Sequence, residues 1–322
     1  MGNPSAPISP SPSSGRRRKI GRGTRAKLVY HYTDAAGLLG ILDSGTLRAS
    51  SFHSLNDSSE IAYGVGVIRE VFSTAALEGD PAAIALLNNF IENIDDHLLE
   101  RDYFIVCASR DRDSLNQWRN YANGNGYAIG LDIGVYAQVI DPRHHFPQAA
   151  KRDPQSVPIW VDVIYGRDEQ QAAVLRVLQD LVGDAGSLLG SAATNGEDPT
   201  DSLLMQVGNL AATLKHPAFA VEEEVRLLMD RVRFARPEFH AGRAGIAPYI
   251  EVGRPRATPG TGGRGFAMAC ERSGLEQLPI RELICGPGEE SGRKRRERVA
   301  RALLHRHRFE IEVAVSMIPL IA

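Results

Sequence analysis

The sequence predicts a mixed α+β domain in which mainly antiparallel sheets are interrupted by helices. Three observations lead there. The chain opens with a strand, a helix and a strand in quick succession over residues 28–50. Further strand-like runs recur in pairs with helical stretches between them, without the regular β-α-β alternation of a parallel sheet. No internal repeat is present.

In order, residues 28–33 read as a short strand ending in His31-Tyr32-Thr33. Asp34 starts a helix whose apolar residues are Leu38, Leu39, Ile41 and Leu42, and Gly45 stops it before a strand over 46–50. Leu55-Asn-Asp-Ser-Ser-Glu60 is turn and cap chemistry that leads into a helix over about 61–77. A helix over 81–99 follows, with Ile84, Leu87, Ile91, Ile94 and Leu98 at helical spacing. Strands are predicted at 103–109, 127–132 and 159–165, with a short capped helix holding Gln117, Trp118 and Tyr121 between the first two. Residues 169–185 and 201–215 form a helical pair. Strands return at 221–229, 246–252, 264–270 and 280–285, then a helix over 289–305 and a strand over 309–315. The expected organisation is a disordered basic leader over 1–26 and a single α+β domain over 27–322, with a helical insertion near 169–215.

The totals exclude several classes. Among 322 residues, 43% are hydrophobic and 24% charged, which is ordinary for a globular chain. No apolar run is long enough to span a bilayer, and the first residues lack the apolar centre of a signal peptide, so a cytoplasmic protein without a membrane partner is expected. Cys107, Cys270 and Cys285 show neither zinc-ligand spacing nor a disulfide framework, and Cys107 and Cys285 sit in strand-like runs that suit buried, inert thiols. Net charge is −2, but unevenly placed. The segments 1–27 and 293–308 each carry about +7, which leaves about −16 for the remainder. Basic segments on an acidic body point to a nucleic-acid partner through 16–27 and 293–308. The second segment also reads as a solvated helix whose apolar face is Val299, Ala300, Leu303 and Leu304.

Four groups carry candidate chemistry. His31 and Thr33 end a strand ahead of a helix N-terminus, where an imidazole, a hydroxyl and free N–H groups hold a ribose or a phosphate. Glu222, Glu224 and Arg226 alternate along a predicted strand, so they share one face. Repulsion would raise one carboxyl pKa while Arg226 holds the other ionised. A solvated edge strand with an ion pair explains the same pattern. Trp118 and Tyr121 lie at i and i+3 on a helix, suited to stacking on a flat ring or, more often for Trp118, to core packing. Asn56, Asp57 and Glu60 cap the next helix or line the same pocket as His31; their spacing is not that of a calcium loop, and no metal is expected. No phosphate loop, dinucleotide fingerprint or nucleophile elbow is present, and Gly260–Gly265 reads as a flexible hairpin tip.

Over residues 28–320 the chain resembles a bacterial domain-of-unknown-function family. The matching residues are Tyr30-His31-Tyr32-Thr33, Leu55-Asn56-Asp57 with Glu60, Ser114, Gln117-Trp118 and Tyr121, and then Gly126–Gly130. Lys215-His216-Pro217, Phe219, Glu222, Glu224, Arg226 and Ser316–Pro319 complete the set, with Ser58 a departure where that family has Pro. The unit His31-x-Thr33, helix, Gly45, strand is also similar to the opening of the ADP-ribosyltransferase superfamily. That resemblance implies an ADP-ribosyltransferase-like fold and NAD as the bound cofactor. It implies that His31 and Thr33 hold the NAD ribose, that an aromatic packs on nicotinamide, and that Glu222-x-Glu224 stabilises the oxocarbenium-like ribose. Glu224 is then the catalytic carboxylate and Glu222 its helper. Tyr32, Asn56, Asp57, Tyr121 and Arg226 complete the implied cofactor-binding set. Tyr32 departs from the Gly common at its position, and Tyr63, Tyr103 and Tyr127 compete with Tyr121 for the aromatic role.

The implied activity is NAD-dependent mono-ADP-ribosyl transfer to a protein or nucleic acid, or NAD glycohydrolysis, as in toxins and phage-defence factors. The alternative is a non-catalytic nucleotide- or nucleic-acid-binding module of the same fold. A metal-independent hydrolase pairing His31 with Asp57 or Glu60 ranks last, because no second His is placed as an acid.

Overall fold

The opening unit forms as predicted: β1 (Leu28–Thr33), α1 (Ala35–Ser44) and β2 (Thr46–Ser51). Asp34 caps α1, its carboxylate accepting from the Gly37 N–H at 2.8 Å. Gly45 ends the helix in the left-handed region at φ 69°, where a Cβ would be strained. The computed structural model describes residues 27–54, 59–99, 103–135, 137–140, 158–183, 199–229, 237–242, 245–255 and 275–319. The leader, the strand expected at 264–270, Gly260–Gly265, Cys270, Asn56 and Asp57 lie outside them.

The next elements are α2 (Ser59–Thr74), α3 (Pro81–Glu92), α4 (Ile94–Leu99), β3 (Phe104–Ser109), α5 (Leu115–Tyr121), β4 (Tyr127–Asp132) and β5 (Gln138–Ile140). Then come β6 (Ile159–Asp162), α6 (Arg167–Gly183), α7 (Pro199–Ala211), β7 (Glu224–Met229), β8 (Glu238–Gly242) and β9 (Gly245–Pro255). The chain closes with β10 (Leu275–Glu276), β11 (Ile280–Cys285), α8 (Glu290–Arg306) and β12 (Glu312–Val315).

Several boundaries differ from the sequence reading. The helix expected over 81–99 is two, broken at Asn93, whose side-chain amide donates to the Asn89 carbonyl and competes with the backbone ladder. The strand expected over 221–229 is half a strand: Pro217–Glu222 is a 3-10 turn, and Glu223 sits in the left-handed region at φ 43° before β7 begins. The strand expected from 309 begins at Glu312, because Arg308 turns left-handed at φ 61° after α8. The short strands β5, β8 and β10 carry too little pattern to have been read from sequence.

All the described strands join one sheet, antiparallel except for the β11–β12 pair. Its trunk is β6–β7–β3, and at β3 it forks. One edge of β3 pairs throughout with β7. The other edge is shared. Its start pairs with β2 at Ile105↔Ser50 and Phe104↔Ser51, and its end meets β1 at Ser109↔Tyr30. One wing continues β1–β4–β11–β12, and the other continues through β2 to β9, which also carries β5, β8 and β10. Helix α1 bridges the wings, because it joins β1 directly to β2.

Three apolar clusters hold this arrangement. Leu38, Ile41 and Leu42 of α1, with Ala300 and Leu304 of α8, cover one face over Val29, Val106, Val225 and Ile129. Helices α2, α3, α4, α6 and α7 cover the opposite face of the trunk, over Ile105 and Leu228. A smaller cluster packs Trp118 and Ala122 of α5 and its turn on Tyr30, Tyr32 and Ile284. Each fully buried Leu, Ile or Phe in these clusters contributes roughly 1.5–3 kcal/mol. Among the described residues, no helix is long and apolar enough to cross a membrane.

Helices α2 and α7 touch at a glycine. A Cβ on Gly64 would lie 2.4 Å from the Ala211 carbonyl oxygen, whereas a Cβ on Gly66, two residues on, would meet nothing within 4 Å. Urea denaturation should therefore separate two similar changes. Gly64→Ala should cost about 1–3 kcal/mol by forcing the helices apart, and Gly66→Ala should add up to about 1 kcal/mol through helix propensity.

Candidate active site

The fork leaves part of the β3 edge without a strand partner, and His31 fills the gap. Its Nδ1 lies 2.8 Å from the Cys107 carbonyl oxygen, so Nδ1 carries the proton and donates. Burial holds the imidazole pKa below its ordinary value, opposed by that backbone bond. His31 is therefore neutral, with Nε2 free to accept a hydrogen bond.

A small cleft opens beside it, lined by Tyr30, His31, Tyr32, Cys107, Ala108, Gln117, Tyr121, Glu222 and Glu224. His31 and Glu224, far apart in sequence, both line this cleft because β1 and β7 both pair with β3, one on each edge.

The acidic wall is built by the 3-10 turn. His216 caps it, its Nδ1 accepting from the Ala218 N–H at 3.2 Å, and Pro217 fixes its first residue. The Glu222 carbonyl accepts from Ser109 Oγ at 2.7 Å, and the Glu223 carbonyl accepts from the Arg110 N–H at 2.8 Å. The Glu224 N–H donates to Tyr165 Oη at 3.1 Å. This backbone fixation holds Glu223 in its left-handed conformation, which costs a non-glycine residue roughly 1–2 kcal/mol. The result is that Glu222 and Glu224 converge on one ammonium instead of spacing out along a strand.

That ammonium is Lys215. Its Nζ donates to Glu222 Oε2 at 2.6 Å, Glu60 Oε1 at 2.8 Å and Glu224 Oε2 at 3.0 Å. Arg226 lies behind, with Nε 2.8 Å from Glu224 Oε1 and one amino group shared between Glu224 and Glu60. It also donates to the Ala212 carbonyl at 2.7 Å. The side chains of Lys215 and Arg226 are 3% and 1% exposed. Three carboxylates therefore face two cations out of water, and the fully ionised cluster carries one net negative charge. The solvated edge strand weighed from sequence is excluded by this burial.

The two glutamates have opposite fates. Burial alone would raise the Glu224 pKa, but Arg226 and Lys215 more than offset it and hold the carboxyl down at about 2. Both its oxygens are engaged. Glu222 is pushed up by burial, which Lys215 offsets only in part. Among the described residues, only its Oε2 takes a hydrogen bond. Glu222 is thus the freer carboxylate, and Glu224 anchors the wall. The Cys107 thiol, in the same wall, is raised well above its usual value by burial and the adjacent Glu224, so it stays protonated.

Of the residues singled out from sequence, His31, Tyr32, Tyr121, Glu222 and Glu224 line the cleft. Arg226 supports it from behind. Tyr32 does so with its ring and hydroxyl already committed. The ring packs edge-on to Trp118 at 4.7 Å, and the hydroxyl donates to the Asp111 carbonyl and accepts from the Ser114 N–H. Trp118 is fully buried core. Thr33 does not line the cleft; its Oγ1 occupies the space over Gly37, where a Cβ would approach it to 1.9 Å. The α1 N-terminus expected to hold an anion is filled by the Asp34 carboxylate, which also accepts from Asn123 at 3.3 Å. Among the four competing tyrosines only Tyr121 lines the cleft. Tyr63 bonds Gln170 Oε1, Tyr103 bonds the Leu204 carbonyl, and Tyr127 packs against the core of the α1 face. Lys215 carried no assigned role in the sequence reading; its signal was a lone Lys seven residues before Glu222.

Residues 117–227 match the family described as Protein of unknown function (DUF2971). The match begins at Gln117 and ends just past Arg226, so it contains Tyr121, Lys215, Glu222 and Glu224 and leaves out His31 and Glu60. No curated protein and no solved structure matches the chain.

Removing one member of the cluster leaves uncompensated charge. Arg226→Met should cost about 3–5 kcal/mol in chemical denaturation. Glu224 sets an acid limb. Its folded pKa is depressed, so its contribution is complete above the ordinary carboxylate range and disappears as pH falls through about 2. Glu222, raised, acts with the opposite sign, its ionisation lowering stability as pH rises. Stability measured against pH should lose its fall between about 4.5 and 2 in Glu224→Gln.

Proposed function

We propose that the cleft binds the nicotinamide-ribose end of NAD and that the protein is an NAD-dependent mono-ADP-ribosyltransferase or NAD glycohydrolase. The observation that carries this reading is the convergence of a neutral His acceptor and a buried carboxylate with a raised pKa in the lining of one cleft. His31 Nε2 would accept from a ribose hydroxyl, and the half-exposed Tyr121 ring would cover the nicotinamide. Breaking the bond between ribose C1′ and the nicotinamide nitrogen sends the electron pair to the ring and leaves positive charge on the ribose. The net negative cluster around Lys215 would stabilise that charge, with Glu222 the cleft carboxylate that has an oxygen unbonded among the described residues. The acceptor oxygen or nitrogen then bonds to C1′ and releases its proton to solvent or to Glu222. Here Glu222 takes the catalytic role, and Glu224 positions it through Lys215.

A non-catalytic nucleotide-binding module is the second reading, favoured by the locked Glu224. Incubation with adenine-labelled NAD, with free nicotinamide measured, separates the two. Turnover that falls by about 10²–10³ in Glu222→Gln while the fold persists supports catalysis. NAD binding without nicotinamide release supports the module, and the absence of both removes the NAD reading. His31→Ala should raise KM more than it lowers kcat if its contact is to the ribose ground state.

A further inference from the structure

Helix α8 carries a feature that the cleft does not use. Its inner face is apolar, with Ala300 and Leu304 buried and Leu303 partly so. Val299, expected on that face, is instead 55% exposed. Arg296 is committed to the fold, donating to the carbonyls of Gly126, Gly286 and Pro287. Arg301 pairs with Glu297 at 2.7 Å. Lys294, Arg295, Arg298, His305 and Arg306 remain exposed on the outside, with Arg308 just beyond the helix. No ion pair engages them among the described residues. The acids of this helix are Glu290 at its start and the neutralised Glu297.

We infer that the outer face of α8 is a docking surface for a nucleic-acid phosphate backbone. The face lies on a chain that is otherwise acidic, so its charge is local rather than a general excess. Arginine dominates it, and a guanidinium forks onto phosphate oxygens where an ammonium is only a point charge. From 294 to 306 the cations span roughly 18 Å of rigid helix, about five phosphates of one strand. An anionic membrane is the poorer fit. The apolar face that would have to insert is already packed on the sheet, and Val299 is the one large apolar residue turned outward. The inference stands on α8 alone; joined to the NAD reading, it makes nucleic acid the acceptor class.

The test uses the full chain and fluorescein-labelled oligonucleotides of about 20 nucleotides, single-stranded and duplex, with anisotropy followed from low to moderate salt. Wild-type binding should weaken steeply with salt. Lys294→Glu/Arg295→Glu/Arg298→Glu should lose more than tenfold in affinity and flatten the log–log salt slope by about 2–3. The neutral triple change to Gln should give an intermediate loss, and nicotinamide release from NAD without acceptor should not change in either variant. Three results would overturn the inference: no binding by wild type at low salt, wild-type binding by the charge-reversed variant, or binding to phosphatidylserine vesicles at salt where oligonucleotides are ignored. The second result together with loss of binding in Arg16→Glu/Arg17→Glu/Arg18→Glu would move the contact to the first basic segment.

Discussion

One ammonium organises this protein's acidic site. Lys215 Nζ bonds carboxylates from α2, the 3-10 turn and the first residue of β7, with Arg226 behind them. Taking three acids and two bases out of water is costly, and a well-packed apolar cluster of equal volume would serve stability as well or better. The cluster therefore makes most sense as a device that holds two glutamates in fixed and different surroundings, one carboxyl pKa lowered and the other raised. Glu224 is tied by both oxygens, and Glu222 keeps one oxygen free at the cleft. The strained Glu223 backbone belongs to the same device, since an extended chain would set the two carboxylates about two strand rises apart.

The second constraint is the forked sheet. A strand pairs along both edges when its neighbours run straight, but β3 shares one edge between β1 and β2. The carbonyl left over at Cys107 needs a donor, and His31 supplies it. That single bond fixes the imidazole tautomer and turns Nε2 into an acceptor, in a cleft that Glu222 also lines. The polarity of the cleft follows: its lining combines a hydrogen-bond acceptor, His31, with carboxylates of a net negative cluster.

Much of the fold was legible because its local signals were strong. Asp34 and Gly45 bracket α1, and the spacing of Ile84, Leu87 and Ile91 marks α3. The errors have physical causes. Asn93 breaks a continuous apolar pattern through one side-chain hydrogen bond. Thr33, next in alternation to His31, turns to the glycine of α1 rather than the cleft. Glu222 was placed with Glu224 and Arg226 by strand alternation, yet it arrives there by a left-handed turn; the grouping held and its stated reason did not.

By itself, the sequence determined the order of the longer elements, most of their apolar faces, the unevenness of charge and the residue types available for chemistry, because each depends on neighbours within a few positions. Tertiary structure alone decided which glutamate is the less engaged, that Tyr121 and not Tyr63, Tyr103 or Tyr127 meets the cleft, and that Lys215 joins Glu60, Glu222 and Glu224. Those outcomes depend on burial and on charges brought together from α2, the 3-10 turn and β7, and desolvation and Coulomb interaction act through space, where distance along the chain carries no information.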